Sequence, residues 1–260
     1  MKDKSAPRSA GPRLWLLIWG LGLAGQICWA IENQWFNTFV YAKIGKDPAI
    51  ITWMLSLSAL GTTFATFFFG TWADRTGKRR LFIGWGYILW GVFTILFGMT
   101  DLLSRENYLL VAASVVLADM VMSFFGSMGN DAGFNTWVND VLTDRNRGQI
   151  GGALATQPVL GVMLATLVGG MLIGDQDDYM RLFAVMGGVV IAFGLLALLV
   201  LNRGDDVAPA VRGSFWRQFA EVFDLRHLLG QRELLLVNIG LAVAFSGFNI
   251  FFAYIGNYII

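Results

Sequence analysis

Two carboxylates stand where a carboxylate is costly to keep. Glu32 and Asp119 each lie inside a long apolar stretch, and a charged side chain in a membrane-length apolar segment needs a partner, a proton or a water-filled cavity. Groups of this kind handle ions, taking up and releasing a proton or a sodium ion. Asp119 recurs with Ser123, Gly126 and Asn130 at steps of three and four residues, so the four share one helical face. The alternative role for Asp119 is a structural bond to a Ser or Thr of a neighbouring helix. Gln26, Asn33, Gln34, Asn37 and Tyr41 form a second polar stripe within about a third of a helical circumference, with Glu32 directed away from it. Asn249, with Asn238, Ser246 and Gly256, repeats such a face near the end of the chain. The amides offer neutral hydrogen bonds, and Trp29 and Trp35 offer flat faces. No nucleophile with a nearby base and no phosphate-binding loop accompanies them. His227 and Cys28 are the only residues of their types, which leaves no usual zinc site and no internal disulfide. Binding and movement of a small solute is expected rather than catalysis, with no cofactor.

Helices in a bilayer must position these groups. The chain is 56% hydrophobic and 14% charged, with 10 Trp and 21 Phe, a composition far from that of a water-soluble domain. Net charge is +1, so nothing points to nucleic acid. The basic first thirteen residues precede an apolar stretch that runs well past the core of a secretory signal, which makes it an uncleaved first helix. Apolar stretches predict seven spanning helices, at roughly 14–42, 49–72, 81–100, 108–135, 151–173, 181–201 and 234–260. The domain plan is a cytoplasmic N-terminus over 1–13, a six-helix bundle over 14–201, a linker over 202–233 and the start of a second bundle over 234–260. In the linker, Phe215, Phe219, Val222, Phe223 and Leu229 fit one face of an amphipathic helix lying in the inner interface.

Charge has a side. With the N-terminus inside, the segments 1–13, 73–80, 136–150 and 202–233 hold 15 of the 19 Lys and Arg, as the retention of basic residues on the cytoplasmic side requires. Gly70 to Arg80, Gly-Thr-Trp-Ala-Asp-Arg-Thr-Gly-Lys-Arg-Arg, reads as a short charged loop between the second and third spans. Gly70 and Gly77 would allow close backbone approach and a sharp reversal, and Asp74 at a span end would meet cations or a helix N-terminus. The bland reading is a solvated hairpin that fixes orientation.

This spacing resembles the loop between helices 2 and 3 of the major facilitator superfamily, Gly-x-x-x-Asp-Arg-x-Gly-Arg/Lys-Arg/Lys, and it follows the second span as in that family. Asn130 to Gly148 is expected to end helix 4 and turn through the next inner loop. Its Asp…Asn-Arg-Gly ending is similar to the loop between helices 4 and 5 of bacterial facilitators and, more loosely, to the cation-coupled glycoside/pentoside/hexuronide symporters. Gln157-Pro158-Val159-Leu160-Gly161 faintly resembles the Gly-Pro-x-x-Gly-Gly motif of facilitator antiporters, with Gln157 in place of Gly. The arginine-bearing helix 4 motif of drug exporters is missing, which weighs against efflux.

The resemblance implies an all-α polytopic membrane protein that works by alternating access. It implies the N-terminal six-helix half, the linker and the first helix of a second half, out of an expected twelve helices, so the chain reads as a fragment whose partner is the missing C-terminal half. Substrate would be held by Gln26, Trp29, Asn33, Asn37, Asn130 and Asn249, and proton or sodium coupling would fall to Glu32 and Asp119. Gly70, Asp74, Arg75, Gly77, Lys78, Arg79, Asp140 and Arg147 would form the inner gate. A sugar or glycoside suits the neutral donors and the Trp faces. The alternatives are an exporter of amphipathic compounds, for which abundant Phe, Trp and Met would line a permissive pocket, and a membrane receptor or scaffold without transport.

Overall fold

The computed structural model describes residues 11–103, 106–201, 206–208, 213–221 and 230–259, with the side chains of Glu221 and of 248–259 outside that description. Among the described residues every element is helical. Among the described residues six helices are long and apolar enough to cross a membrane: α1 (Pro12–Ile44), α2 (Pro48–Thr76), α3 (Arg79–Leu102), α4 (Tyr108–Val141), α5 (Arg147–Gln176) and α6 (Tyr179–Val200). A short helix, α7 (Phe215–Glu221), precedes a last long one, α8 (Arg232–Ile259), at the position of the seventh expected span. Of the amphipathic face expected in the linker, Val222, Phe223 and Leu229 lie outside the described residues, as does His227.

Helix starts follow from local chemistry. Asp47 accepts from the Ala49 amide at 2.9 Å and Pro48 opens α2, where a missing amide costs nothing. Asn107 caps α4 through the Leu110 amide at 3.2 Å, and Asp178 caps α6 through Arg181 at 3.0 Å.

Two expectations about breaks require correction. The run from Gly70 to Arg80 is not a loop: α2 continues to Thr76, and Gly77, at φ 67°, closes it with its amide on the Ala73 carbonyl at 2.8 Å. Gly77 makes the reversal expected of it, because a left-handed residue ends a helix at least cost when it is glycine. Gly70 is interior to α2, with open space where a Cβ would stand, so no close approach requires it. Nor does helix 4 end at about residue 135; it runs on to Val141. It passes through a π-helical stretch, Ser127–Asn135, and resumes as Thr136–Val141. A break inside a bilayer would strand backbone donors and acceptors, and widening to the π pattern keeps them paired.

Small residues set the packing. α3 lies against α6 along Gly84, Gly91, Gly187 and Gly194, where a Cβ on any of the four would run into the opposite helix. Close approach through glycine is the usual route to helix association where lipid removes the hydrophobic drive. Gly86 of α3 meets Gly129 in the π-helical stretch of α4 in the same way. α1 packs on α5, and Gln157, 1% exposed, donates to the Ile18 carbonyl at 3.0 Å. Phe36 stacks on Phe97 at 4.0 Å between centroids, and Phe183 meets both rings edge-on. Outward positions carry exposed Leu16, Trp53, Leu60 and Leu199, as a lipid-facing surface demands.

Adding a methyl group at Gly129 would press on the Tyr87 ring and backbone at 2.8–2.9 Å, whereas Gly151 has nothing within 4 Å. Gly129→Ala is expected to cost about 1–3 kcal/mol through overpacking, read as a lower Tm of the detergent-solubilised protein. Gly151→Ala should leave Tm unchanged or raise it.

Candidate functional site

A cavity of about 280 Å³ opens between α1, α2 and α4. From α1 it takes Trp29, Glu32, Asn33, Phe36 and Asn37; from α2, Met54, Leu55, Ser58, Ala59 and Thr62; from α4, Asp119 and Asp131. Two π-helical stretches reach it: Glu32–Phe36 is π-helical in α1 and Ser127–Asn135 carries Asp131 in α4, whereas the π-helical Val40–Ile44 lies outside it. Widened turns recur at functional sites because they turn side chains out of the regular register.

Three carboxyl groups line this cavity and no Lys or Arg does. Ser123 donates to Glu32 Oε1 at 2.6 Å, bonding α4 to α1. Ser58 donates to Asp119 Oδ2, bonding α2 to α4. Each carboxyl keeps one further buried oxygen, Glu32 Oε2 and Asp119 Oδ1, with no hydrogen-bond partner among the described residues. Asp131 differs: its two oxygens accept from Ser127 at 2.8 Å and from Asn130 Nδ2 at 3.1 Å. Asn33 and Asn37 donate to the Trp29 and Asn33 carbonyls at 2.8 and 3.3 Å, which fixes both amides at the wall. Trp29 rests on Trp90 at 4.8 Å between ring centroids.

The candidates therefore divide. Glu32, Asp119, Trp29, Asn33 and Asn37 meet at one cavity. Asn130 does not reach it: at 2% exposure it lies within 3.2 Å of the Tyr87 hydroxyl and serves Asp131. Gln26 stands where α1 crosses Gly161 of α5, and Gln34 accepts from Thr166 at 2.9 Å on that same side. The Asn249 side chain lies outside the described residues, although α8 packs against the Glu32–Phe39 part of α1. The polar stripe set Glu32 aside because it was centred on the amides; the cavity takes a broader face, Trp29, Glu32, Asn33, Phe36 and Asn37, whose spacing of three and four residues puts Glu32 at its edge beside Asn33. Asp131 and Ser58 escaped the set of expected site residues. Ser58 was visible only as one hydroxyl among several on helix 2, and Asp131 as a neighbour of Asn130 near the expected end of helix 4.

A second cluster forms at one end of the bundle. Arg79, its side chain only 4% exposed, donates from Nη2 to Asp74 at 2.7 Å and from Nε to Asp140 at 2.8 Å, joining the ends of α2, α3 and α4. Arg75 turns away to Gly213 and Gln218 beyond the bundle, and Lys78 is exposed at the start of α3. Arg147 pairs with Asp144 at 3.6 Å on the open surface and does not join Asp140. A larger apolar cavity of about 410 Å³ lies along α2 and α4, lined by Ile50, Trp53, Leu57, Leu109 and Val116 with Asp47 and Tyr108 as its polar members.

Six spanning helices, a polar cavity inside them and a charged cluster at the turn between the second and third agree with one comparison. The model of the Major Facilitator Superfamily matches residues 14–260. The chain belongs to the major facilitator superfamily. No curated protein and no solved structure gives a match. This facilitator is thus a multi-pass membrane protein of a family of secondary transporters, and its surroundings are a bilayer and a small solute.

Arg79→Ala removes the shared partner of two carboxylates and is expected to cost about 2 kcal/mol, below the value for a fully buried pair because Asp74 is 41% exposed. Tm in detergent reads the loss. Arg147→Ala, at a pair open to solvent, should leave Tm where it is.

Proposed function

We propose that this facilitator moves a small polar solute, a sugar or glycoside, by alternating access coupled to a proton or sodium gradient. The observation that carries the reading is the pair of serine–carboxylate bonds, Ser123 to Glu32 and Ser58 to Asp119, at one cavity shared by three helices. A serine hydroxyl donates to an ionised carboxylate but can accept from a protonated one. Loading a proton, or seating a sodium ion on the two unpartnered oxygens, therefore changes the bonds that join α1 to α4 and α2 to α4. An ion that alters helix packing at the solute site is what coupling requires. Asn33 and Asn37 supply neutral hydrogen bonds to hydroxyls and Trp29 a face for a sugar ring. The solute sits between this bundle and a second half, and rocking exposes it to either side in turn.

Charge sidedness supports an N-terminus on the cytoplasmic side of the cytoplasmic membrane. The Arg79 cluster, with Asp74 and Asp140, then lies on the inner face as a gate. A second reading, export of amphipathic compounds, is favoured by the apolar cavity along α2 and α4.

The test is uptake of a labelled sugar panel into proteoliposomes under imposed proton and sodium gradients, with the chain carried through any sequence that follows Ile260. Gradient-driven uptake that falls at least tenfold in Asp119→Asn is the expected result. Extrusion of amphipathic dyes without sugar uptake would favour the second reading, and solute binding without flux would point to a receptor.

A further inference from the structure

Of the three carboxyls at the cavity, Asp131 is the one that the proposed coupling leaves unused. Glu32 and Asp119 are each bonded by a serine of another helix, so a change at either alters helix packing. Asp131 is held only from its own helix: Ser127 donates to Oδ2 at 2.8 Å and Asn130 Nδ2 to Oδ1 at 3.1 Å. Asn130 is itself backed by Tyr87, whose hydroxyl lies 3.2 Å from Asn130 Oδ1 and 2.8 Å from the Leu21 carbonyl. Asp131 therefore stands oriented before any solute arrives. Whatever it holds can come and go without breaking the serine bonds that join the helices.

Its charge is what lacks an answer. A carboxylate offers about four lone-pair sites, so two donors leave room for a cation, and a buried carboxylate without one is costly. No Lys or Arg lines the cavity. Asp119, 3% exposed, points the same way, since its Oδ1 has no partner among the described residues. An ion taken up at Glu32 and Asp119 still leaves Asp131 over when the solute is a neutral sugar, whereas a solute that brings its own cation answers it. Trp29, on the same wall, presents a ring face that attracts a cation as well as a sugar ring. We infer that Asp131 is the solute-recognition residue of this cavity and that the solute is a hydroxylated primary amine, of the class of the amino sugars. Its ammonium pairs with Asp131 while Asn33 and Asn37 meet its hydroxyls. A cavity of about 280 Å³, at the lower end of ligand pockets, suits a solute of one such ring. The inference rests on the reading that this cavity holds the transported solute, and it narrows the class of that solute.

Equilibrium binding to the chain in nanodiscs near neutral pH, carried through any sequence that follows Ile260, tests it with glucosamine, N-acetylglucosamine, glucose and ethanolamine. Glucosamine should bind about tenfold or more tighter than glucose or N-acetylglucosamine, the difference that one hydrogen bond between charged groups makes. That comparison is made on the wild type, so it holds even where a variant fails to fold. Asp131→Asn should abolish the preference and Asp131→Glu retain it. Glucose bound as tightly as glucosamine would overturn the inference and leave the sugar carrier standing. Ethanolamine bound through Asp131, with no sugar bound, would support the inference and sink the sugar reading. A preference for glucosamine that survives Asp131→Asn would overturn the assignment, as would the failure of every probe to bind.

Discussion

A carboxyl group inside an apolar bundle has to be met by a donor, and most of the interior is arranged around meeting three of them. Ser123 and Ser58 each answer a carboxylate on a different helix, so satisfying the charge also joins α1, α2 and α4. Asp131 is served from its own helix by Ser127 and Asn130. That service in turn holds Asn130 beside the Tyr87 hydroxyl, which lies 2.8 Å from the Leu21 carbonyl of α1. Polar satisfaction and helix positions are thus one problem here.

The contrast among the three carboxyls carries the functional argument. Asp131 has a donor on each oxygen, while Glu32 and Asp119 have one each and a second buried oxygen with no partner among the described residues. A site that is half satisfied at rest is costly unless something else visits it. Under the proposed coupling that visitor is an ion, whose arrival would compete with the serines that bond these helices. At the far end of α2 the demand is of the opposite kind: Arg79 is a buried cation answered by Asp74 and Asp140, and that pairing keeps three helix ends in register.

Much of the architecture was legible because it rests on composition and on local rules. Apolar stretches located the six spanning helices to within a few residues, and the Gly77 turn followed from a glycine placed after Asp-Arg-Thr. Asp119 was legible as a mid-span carboxylate, and a serine of the second helix was weighed as its partner. What was lost was lost to helix geometry. The π-helical stretch Ser127–Asn135 breaks the 100° step on which a wheel argument depends, and Asn130 within it stands away from the cavity; on α1 the stripe of amides marked a narrower face than the cavity uses, which left Glu32 outside it. Gly70 looked like a turn residue only because charge follows it, and α2 runs on past it for six residues to Thr76. Contacts between distant segments, such as Val207 on Gly77, leave no periodic trace in a sequence.

The central claim is that Glu32 and Asp119 exchange an ion at their serine-bonded site. Infrared difference spectroscopy of the chain in lipid, recorded as pH or sodium is stepped, reads carboxyl groups directly. The account predicts a carboxyl band that responds to the step and loses separate components in Glu32→Gln and in Asp119→Asn. A carboxyl region that ignores both steps, or a response that survives both substitutions together, would contradict it.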